Sequence, residues 1–220
     1  MNLKIGILIA VSLLLFACSK TIVEPATTTS ETETTDNENE GAIDYRLLFV
    51  GNSLTYYNDL PKLVKEVAKS RDLSIATEML AKGNYALIDH WADGQVQSLI
   101  RSKQYDFVIV QQGPSSLAES YRVLLEGGEK FDDLCKANDA QLAYFMVWPS
   151  RQYYHTFDGV IRNYTAAAAA HDAILCPVGQ VWKRHFDATN DFSYYGRDGF
   201  HPAIKGSQVA ARVIVDSLFP

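Results

Sequence analysis

Short unbroken apolar runs alternate along this chain with longer stretches in which apolar residues recur every three or four positions. The runs at 45–50, 107–110, 141–147 and 174–176 predict strands, because a strand covered on both faces has no polar face to show, and 73–80, which mixes Ser74, Thr77 and Glu78 among its apolar residues, is read as a second strand in the same series. Between them the 3.6-residue period predicts helices. One begins at Asn58 or Asp59 as N-cap, carries Pro61 in its first turn and continues through Leu63, Val64 and Val67. Another covers 86–102, with Leu87, Ile88, Trp91, Val96, Leu99 and Ile100 on its apolar face and Gly94 weakening its middle. Further helices are expected over 121–137, 157–171 and 203–218. Buried strands alternating with amphipathic helices imply right-handed crossovers and a parallel sheet of about five strands covered on both faces. The expectation is one α/β domain over 45–220, three layers thick and flavodoxin-like, with its functional residues in the loops that leave the carboxyl ends of the strands.

Residues 1–44 follow another pattern. Lys4 precedes a thirteen-residue run of low charge at 5–17, too short for a comfortable membrane span and of the right length for a signal-peptide core. The segment Leu15-Phe16-Ala17-Cys18 resembles the bacterial lipobox, which implies a signal peptide over 1–17 and lipidation of Cys18. Two or three acyl chains would make a stable membrane tether. From 21 to 44 the chain is Thr, Glu, Asn and Asp with few aliphatic residues, a composition that cannot bury enough surface to offset its ordering entropy. Residues 18–44 are therefore expected to form a disordered acidic stalk that holds the domain outside the cytoplasm, facing periplasm or cell exterior.

Seven acids fall in that stalk (Glu24, Glu31, Glu33, Asp36, Glu38, Glu40, Asp44), so it carries most of the net charge of −6. From Tyr45 onward 19 acids face 18 bases. A body so near neutrality lacks the field that would hold a phosphate backbone, and nucleic acid is not expected as a partner. Cys135 and Cys176 sit in no metal-ligand spacing; they are read either as separate buried thiols or as a disulfide permitted by export.

Two segments carry the chemistry. Gly51-Asn52-Ser53-Leu54-Thr55 follows the first strand, and Asp198-Gly199-Phe200-His201-Pro202 precedes the last helix. A serine hydroxyl is a poor nucleophile until a base takes its proton, and an imidazole does this best when a carboxylate fixes its tautomer. Asp198 and His201 would supply base and carboxylate from one turn. No Gly-x-Ser-x-Gly elbow, P-loop or Gly-x-Gly-x-x-Gly occurs, so neither the α/β-hydrolase type nor a nucleotide cofactor is indicated. His90, His155, His171 and His185 share no ligand spacing and are read as helix-surface or core-edge residues; no metal is expected.

The two segments resemble the first and last motifs of the SGNH (GDSL-like) hydrolases, a likeness that covers residues 47–220 in strand order, motif order and spacing. It implies Ser53 as nucleophile and first oxyanion donor, His201 as general base and Asp198 as its orienting acid. It also implies that Gly83, after the second strand, gives a backbone N–H to the oxyanion hole. The chain departs from the family where Gly-x-Asn-Asp is expected: its third strand ends Gln111-Gln112-Gly113-Pro114-Ser115-Ser116. Since loss of one oxyanion donor costs about 2.7–4 kcal/mol, a substitute is required. The Gln112 carboxamide is the first choice and Ser115, at the Asn position, the second. Tyr56, Tyr57, Trp148, Tyr153, Tyr154, Tyr194, Tyr195 and Arg151 are candidates for substrate contact. The expected activity is cofactor-free deacylation of a carbohydrate ester; the alternative is a surface glycan-binding module that keeps the fold without turnover.

Overall fold

The computed structural model describes residues 42–220. The signal peptide expected over 1–17, Cys18 and most of the stalk lie outside the described residues. Asp44, expected at the stalk's end, belongs to the body: its N–H donates to Ser74 O and its carboxylate accepts the Ser74 N–H, both at 2.8 Å.

Five strands, β1 (Tyr45–Gly51), β2 (Ile75–Ala81), β3 (Phe107–Val110), β4 (Gln141–Phe145) and β5 (Ile174–Cys176), form one parallel sheet in the order β2-β1-β3-β4-β5. Leu47 to Val50 on β1 and Val108 and Val110 on β3 are fully buried, because helices cover both faces of the central strands. The edge strand β2 is less covered and carries Glu78 and the exposed Met79. Register sets the ends level: Gly51 lies opposite Ala81, and Val50 opposite Val110. The loops after β1, β2 and β3 thus open at one edge, where the chain first runs to β2 and then crosses back to β3. That reversal is the switch point at which such sheets place their sites.

The helices are α1 (Ser53–Tyr56), α2 (Leu60–Lys69), α3 (Leu87–Asp93), α4 (Gln95–Ser102), α5 (Ala118–Lys136), α6 (Phe157–Ala170), α7 (Val178–Thr189) and α8 (Ile204–Leu218), with 3₁₀ turns at Tyr57–Asp59 and Arg151–Thr156. On one side α2 packs on α8; on the other, α3 packs on α5 and α5 on α6. Among the described residues no helix is long and apolar enough to cross a membrane.

Three elements differ from expectation. The single helix expected over 86–102 is two, because Gly94 takes φ +73°, closes α3 with its N–H on Trp91 O, and turns the chain before α4. The segment after β5 forms α7, which buries Val178, Trp182 and Phe186. At the start of α2, Asp59 stands at the N-cap in the left-handed region (φ +51°) and makes no side-chain cap. Asn58 beside it (φ +55°) sends its carboxamide to Pro202 O at 3.0 Å and Ser207 Oγ at 2.9 Å, stitching the Ser53 segment to the start of α8.

Candidate active site

The Ser53 loop is held from below by groups on two other strand-end loops. Gln111, buried at the end of β3, accepts the Asn52 N–H (2.9 Å) and the Thr55 hydroxyl (2.8 Å) on one oxygen and donates its own N–H to Gln112 O at 2.8 Å. That approach explains Gly51: a Cβ there would collide with Thr55 Oγ1 and lie 2.6 Å from Gln111 Oε1. Asn52 caps α1, accepting the Leu54 N–H at 3.2 Å, and donates to Tyr85 O at 3.0 Å. Ser53 is then the first helical residue, and among the described residues its N–H has no protein partner.

His90 corrects the reading of it as a surface or core-edge residue. It is fully buried on α3, with Nε2 2.7 Å from Gly51 O. A carbonyl can only accept, so Nε2 carries the proton. Burial lowers the imidazole's pKa, outweighing the bond to Gly51, and leaves Nδ1 without a partner. His171 is likewise buried, bonded through Nδ1 to the Tyr144 hydroxyl at 2.8 Å. Gln111, His90 and Asn58 are the supporting residues that sequence reasoning missed.

The opposing loop is a closed unit. Tyr195 and Pro202 form an antiparallel bridge, the Gly196 N–H donates to His201 O (2.7 Å), and the Ala203 N–H donates to Tyr194 O (2.9 Å). Inside it, Asp198 Oδ1 accepts the N–H groups of Phe200 and His201, both at 3.0 Å, across a turn in which Gly199 takes φ +68°. The loop is fastened outward by Trp148 Nε1 donating to Phe200 O (2.9 Å) and by the Arg151 N–H donating to Gly199 O (2.7 Å). Tyr57 stacks on the His201 ring at 4.3 Å.

These two units bring Ser53, His201 and Asp198 into one chain of hydrogen bonds. His201 Nδ1 lies 2.6 Å from Asp198 Oδ2, and His201 Nε2 lies 2.9 Å from Ser53 Oγ. With the ring's N–H on the carboxylate side, Nε2 is free to accept from the serine hydroxyl. Desolvation pushes the Asp198 carboxyl up, but the His201 ring and the two backbone N–H groups outweigh it, so the group stays below the usual carboxylate range and ionised at neutral pH.

A cavity of about 410 Å³ opens over Ser53, lined among others by Asn52, Asn84, Gln112, Ser115 and Phe200. Gly83 lies in the turn after β2, one residue before Asn84, and is not in the cavity wall; its N–H has no protein partner among the described residues. Gln112 lines the cavity, but its amide hydrogens point to Ser115 Oγ (3.1 Å) and Ser120 O (3.4 Å), while the Ser115 hydroxyl donates to Gly113 O at 3.0 Å. Either side chain would have to exchange a bond to reach an oxyanion. Of the candidate aromatics, Trp148, Tyr194 and Tyr195 are buried packing residues and Tyr154 bonds Asp187, whereas Tyr56, Tyr57 and Tyr153 are exposed. Arg151 lies over the Phe192 ring. Cys135 and Cys176 stand as separate buried thiols. Among the described residues no group of three or more His, Cys, Asp or Glu side chains is placed to hold a metal ion.

No family model and no curated protein matches the chain. Solved structures do. A protein from Slackia heliotrinireducens assigned as an SGNH hydrolase superposes with a TM-score of 0.67 at 24% identity, over 79% of this chain and 98% of that one. A variant of the acetyl xylan esterase Axe2 from Geobacillus stearothermophilus gives a TM-score of 0.63 at 14% identity, over 82% and 97%. The lipase/acylhydrolase from Enterococcus faecalis gives 0.62 at 13%, over 79% and 95%. At these identities the likeness establishes the fold: an α/β domain of the SGNH hydrolase type.

Proposed function

We propose that this chain is a serine ester hydrolase of the SGNH type that removes acyl groups, acetyl foremost, from a carbohydrate ester. The observation that carries the reading is the unbroken relay from Asp198 through His201 to Ser53. In the proposed reaction the Ser53 oxygen attacks the ester carbonyl as its proton passes to His201 Nε2. The oxyanion is met by the Ser53 N–H and by a side-chain donor, Gln112 or, failing it, Ser115; the Gly83 N–H, which lies outside the cavity wall, joins them through an inward shift of the turn after β2. His201 returns the proton to the departing alcohol, and water, activated by the same ring, releases the acid. Asp198 orients the ring and stabilises its charged form. No step calls for a cofactor or metal. The Axe2 neighbour, an acetyl xylan esterase, supports the choice of acetyl and sugar.

Ser53→Ala should abolish hydrolysis of p-nitrophenyl acetate, a loss on the order of 10⁶-fold, with little change in Tm. A variant that kept its activity would refute the assignment. Fluorophosphonate labelling tests the rival glycan-binding reading, since an unactivated serine stays unlabelled.

The location is part of the same proposal: cleavage before Cys18 and its lipidation would hold the hydrolase at a bacterial membrane, outside the cytoplasm. Cys18→Ser should move the protein from the membrane to the soluble fraction and abolish incorporation of labelled palmitate. A wild-type chain without label would overturn the anchor and leave the hydrolase reading untouched.

A further inference from the structure

The cavity over Ser53 has a neighbour that no catalytic step uses. Pro114 and Phe200 line both, and the second cavity, of about 490 Å³, is completed by Ser116, Leu117, Pro149, Ser150, Tyr153 and Thr156. Two of its walls are large apolar side chains left open to water: Leu117 is 66% exposed and Tyr153 55% exposed. Bare apolar surface that adjoins a reactive centre is a mark of ligand contact rather than of packing.

The lining narrows what the ligand is. No Asp, Glu, Lys, Arg or His contributes to it, so a charged group would find no counter-ion. An alkyl chain would cover Tyr153, Leu117 and the prolines, but it would also take the hydroxyls of Ser116 and Ser150, which have no protein partner among the described residues, out of water without replacing their hydrogen bonds, whereas the Thr156 hydroxyl already donates to Tyr153 O at 2.8 Å. A sugar ring suits both kinds of wall, offering a C–H face to an aromatic ring and hydroxyls around its edge. The platform is also fixed relative to the relay. The Tyr153 N–H donates to Ser150 O at 2.9 Å within the 3₁₀ turn Arg151–Thr156, and the Arg151 N–H of that turn donates to Gly199 O in the His201 loop at 2.7 Å.

We propose that this second cavity seats the sugar ring of the acylated carbohydrate, with Tyr153 as its stacking platform, while the acyl carbonyl lies over Ser53. The proposal rests on the ester-hydrolase reading of Ser53. The test compares triacetylated methyl xylopyranoside, ethyl acetate and p-nitrophenyl octanoate as substrates of the wild-type chain, Tyr153→Ala and Tyr153→Phe. Tyr153→Ala should lower the kcat/KM ratio of sugar ester to ethyl acetate about tenfold, chiefly through KM, and Tyr153→Phe should restore it. An unchanged ratio, or a selective loss of octanoate hydrolysis, which would assign the cavity to acyl chains, overturns the proposal while leaving the hydrolase standing. Saturation-transfer NMR of the triacetylated xyloside with Ser53→Ala separates the two readings from the other side. If the wild-type chain hydrolyses none of the esters and the xyloside still binds in a Tyr153-dependent manner, the hydrolase reading fails and the sugar site remains.

Discussion

What separates Ser53 from any other helix N-terminal serine is a proton acceptor 2.9 Å away, whose far nitrogen lies 2.6 Å from a carboxylate. Asp198→Asn would leave the loop's shape nearly intact, since the amide oxygen can still accept the N–H groups of Phe200 and His201, but its NH₂ would press the ring into the wrong tautomer. A fall in kcat of roughly 10⁴-fold is expected, with Tm almost unmoved; comparable turnover in wild type and variant would show that the ring is not the base. The oxyanion donors divide differently. If Gln112 leaves Ser115 to meet the developing charge, Gln112→Ala should cost about 10²–10³ in kcat and Ser115→Ala much less; equal and small losses in both would exclude a side-chain donor at this end of β3. Gln111 works through others. Replacing it by Leu strands the buried Asn52 N–H, which should cost about 1–3 kcal/mol by urea unfolding, and lets Ser53 drift, so kcat should fall while KM holds. Normal stability in Gln111→Leu would remove it from this role.

The central strands were legible because burial on both faces leaves a strand no choice but an apolar run; the edge strand β2 is less covered and mixes Thr77 and Glu78 among its apolar residues, yet all five occur near their expected places. Helix joints were harder to read. Gly94 was visible as a weak point, but only its φ of +73° makes it a break. Helix α7 shows helical spacing in Val178, Val181, Trp182 and Phe186, yet Gly179 near its start lowers its propensity, and the reason for that glycine is remote: a Cβ would strike Val147 O. The same division runs through the site. Ser53, Asp198 and His201 could be picked out because the chemistry demands their types beside strand ends and glycines. Gln111, His90 and Asn58 could not, because their partners lie 59, 39 and 149 positions away. Two glycine substitutions should reveal which elements carry the site. Gly94→Ala meets open space but a left-handed backbone, and should cost about 1–2 kcal/mol with turnover unchanged. Gly206→Ala on α8 would drive a methyl into Tyr194 O and to within 2.6 Å of Trp182, pushing α8 off the His201 loop it follows. Overpacking of about 1–3 kcal/mol should then come with a loss of kcat. If Gly206→Ala matched wild type in rate, α8 would not be what holds that loop.

For the molecule as a whole, the question is how much of it must open before its interior is reached. Cys135 is the last residue but one of α5 and Cys176 closes β5, the three-residue strand at the far edge of the sheet, and both are buried. Burial, the largest influence on each, pushes both thiols up to about 12, so almost no thiolate exists at pH 8 even before access is considered. Attack by a thiol reagent therefore reports opening rather than chemistry. In a chain carrying Cys18→Ser, both thiols should resist dithionitrobenzoate at pH 8 in native buffer. They should become reactive together along the same urea transition that shifts the emission of the buried Trp148 and Trp182 to longer wavelength, because β5 is pinned between β4 and α8 and cannot be exposed while they stay packed. One thiol reacting well before that transition would reveal a separately unfolding edge, Cys176 marking β5 and Cys135 the end of α5, and would end the description of this domain as a single cooperative unit.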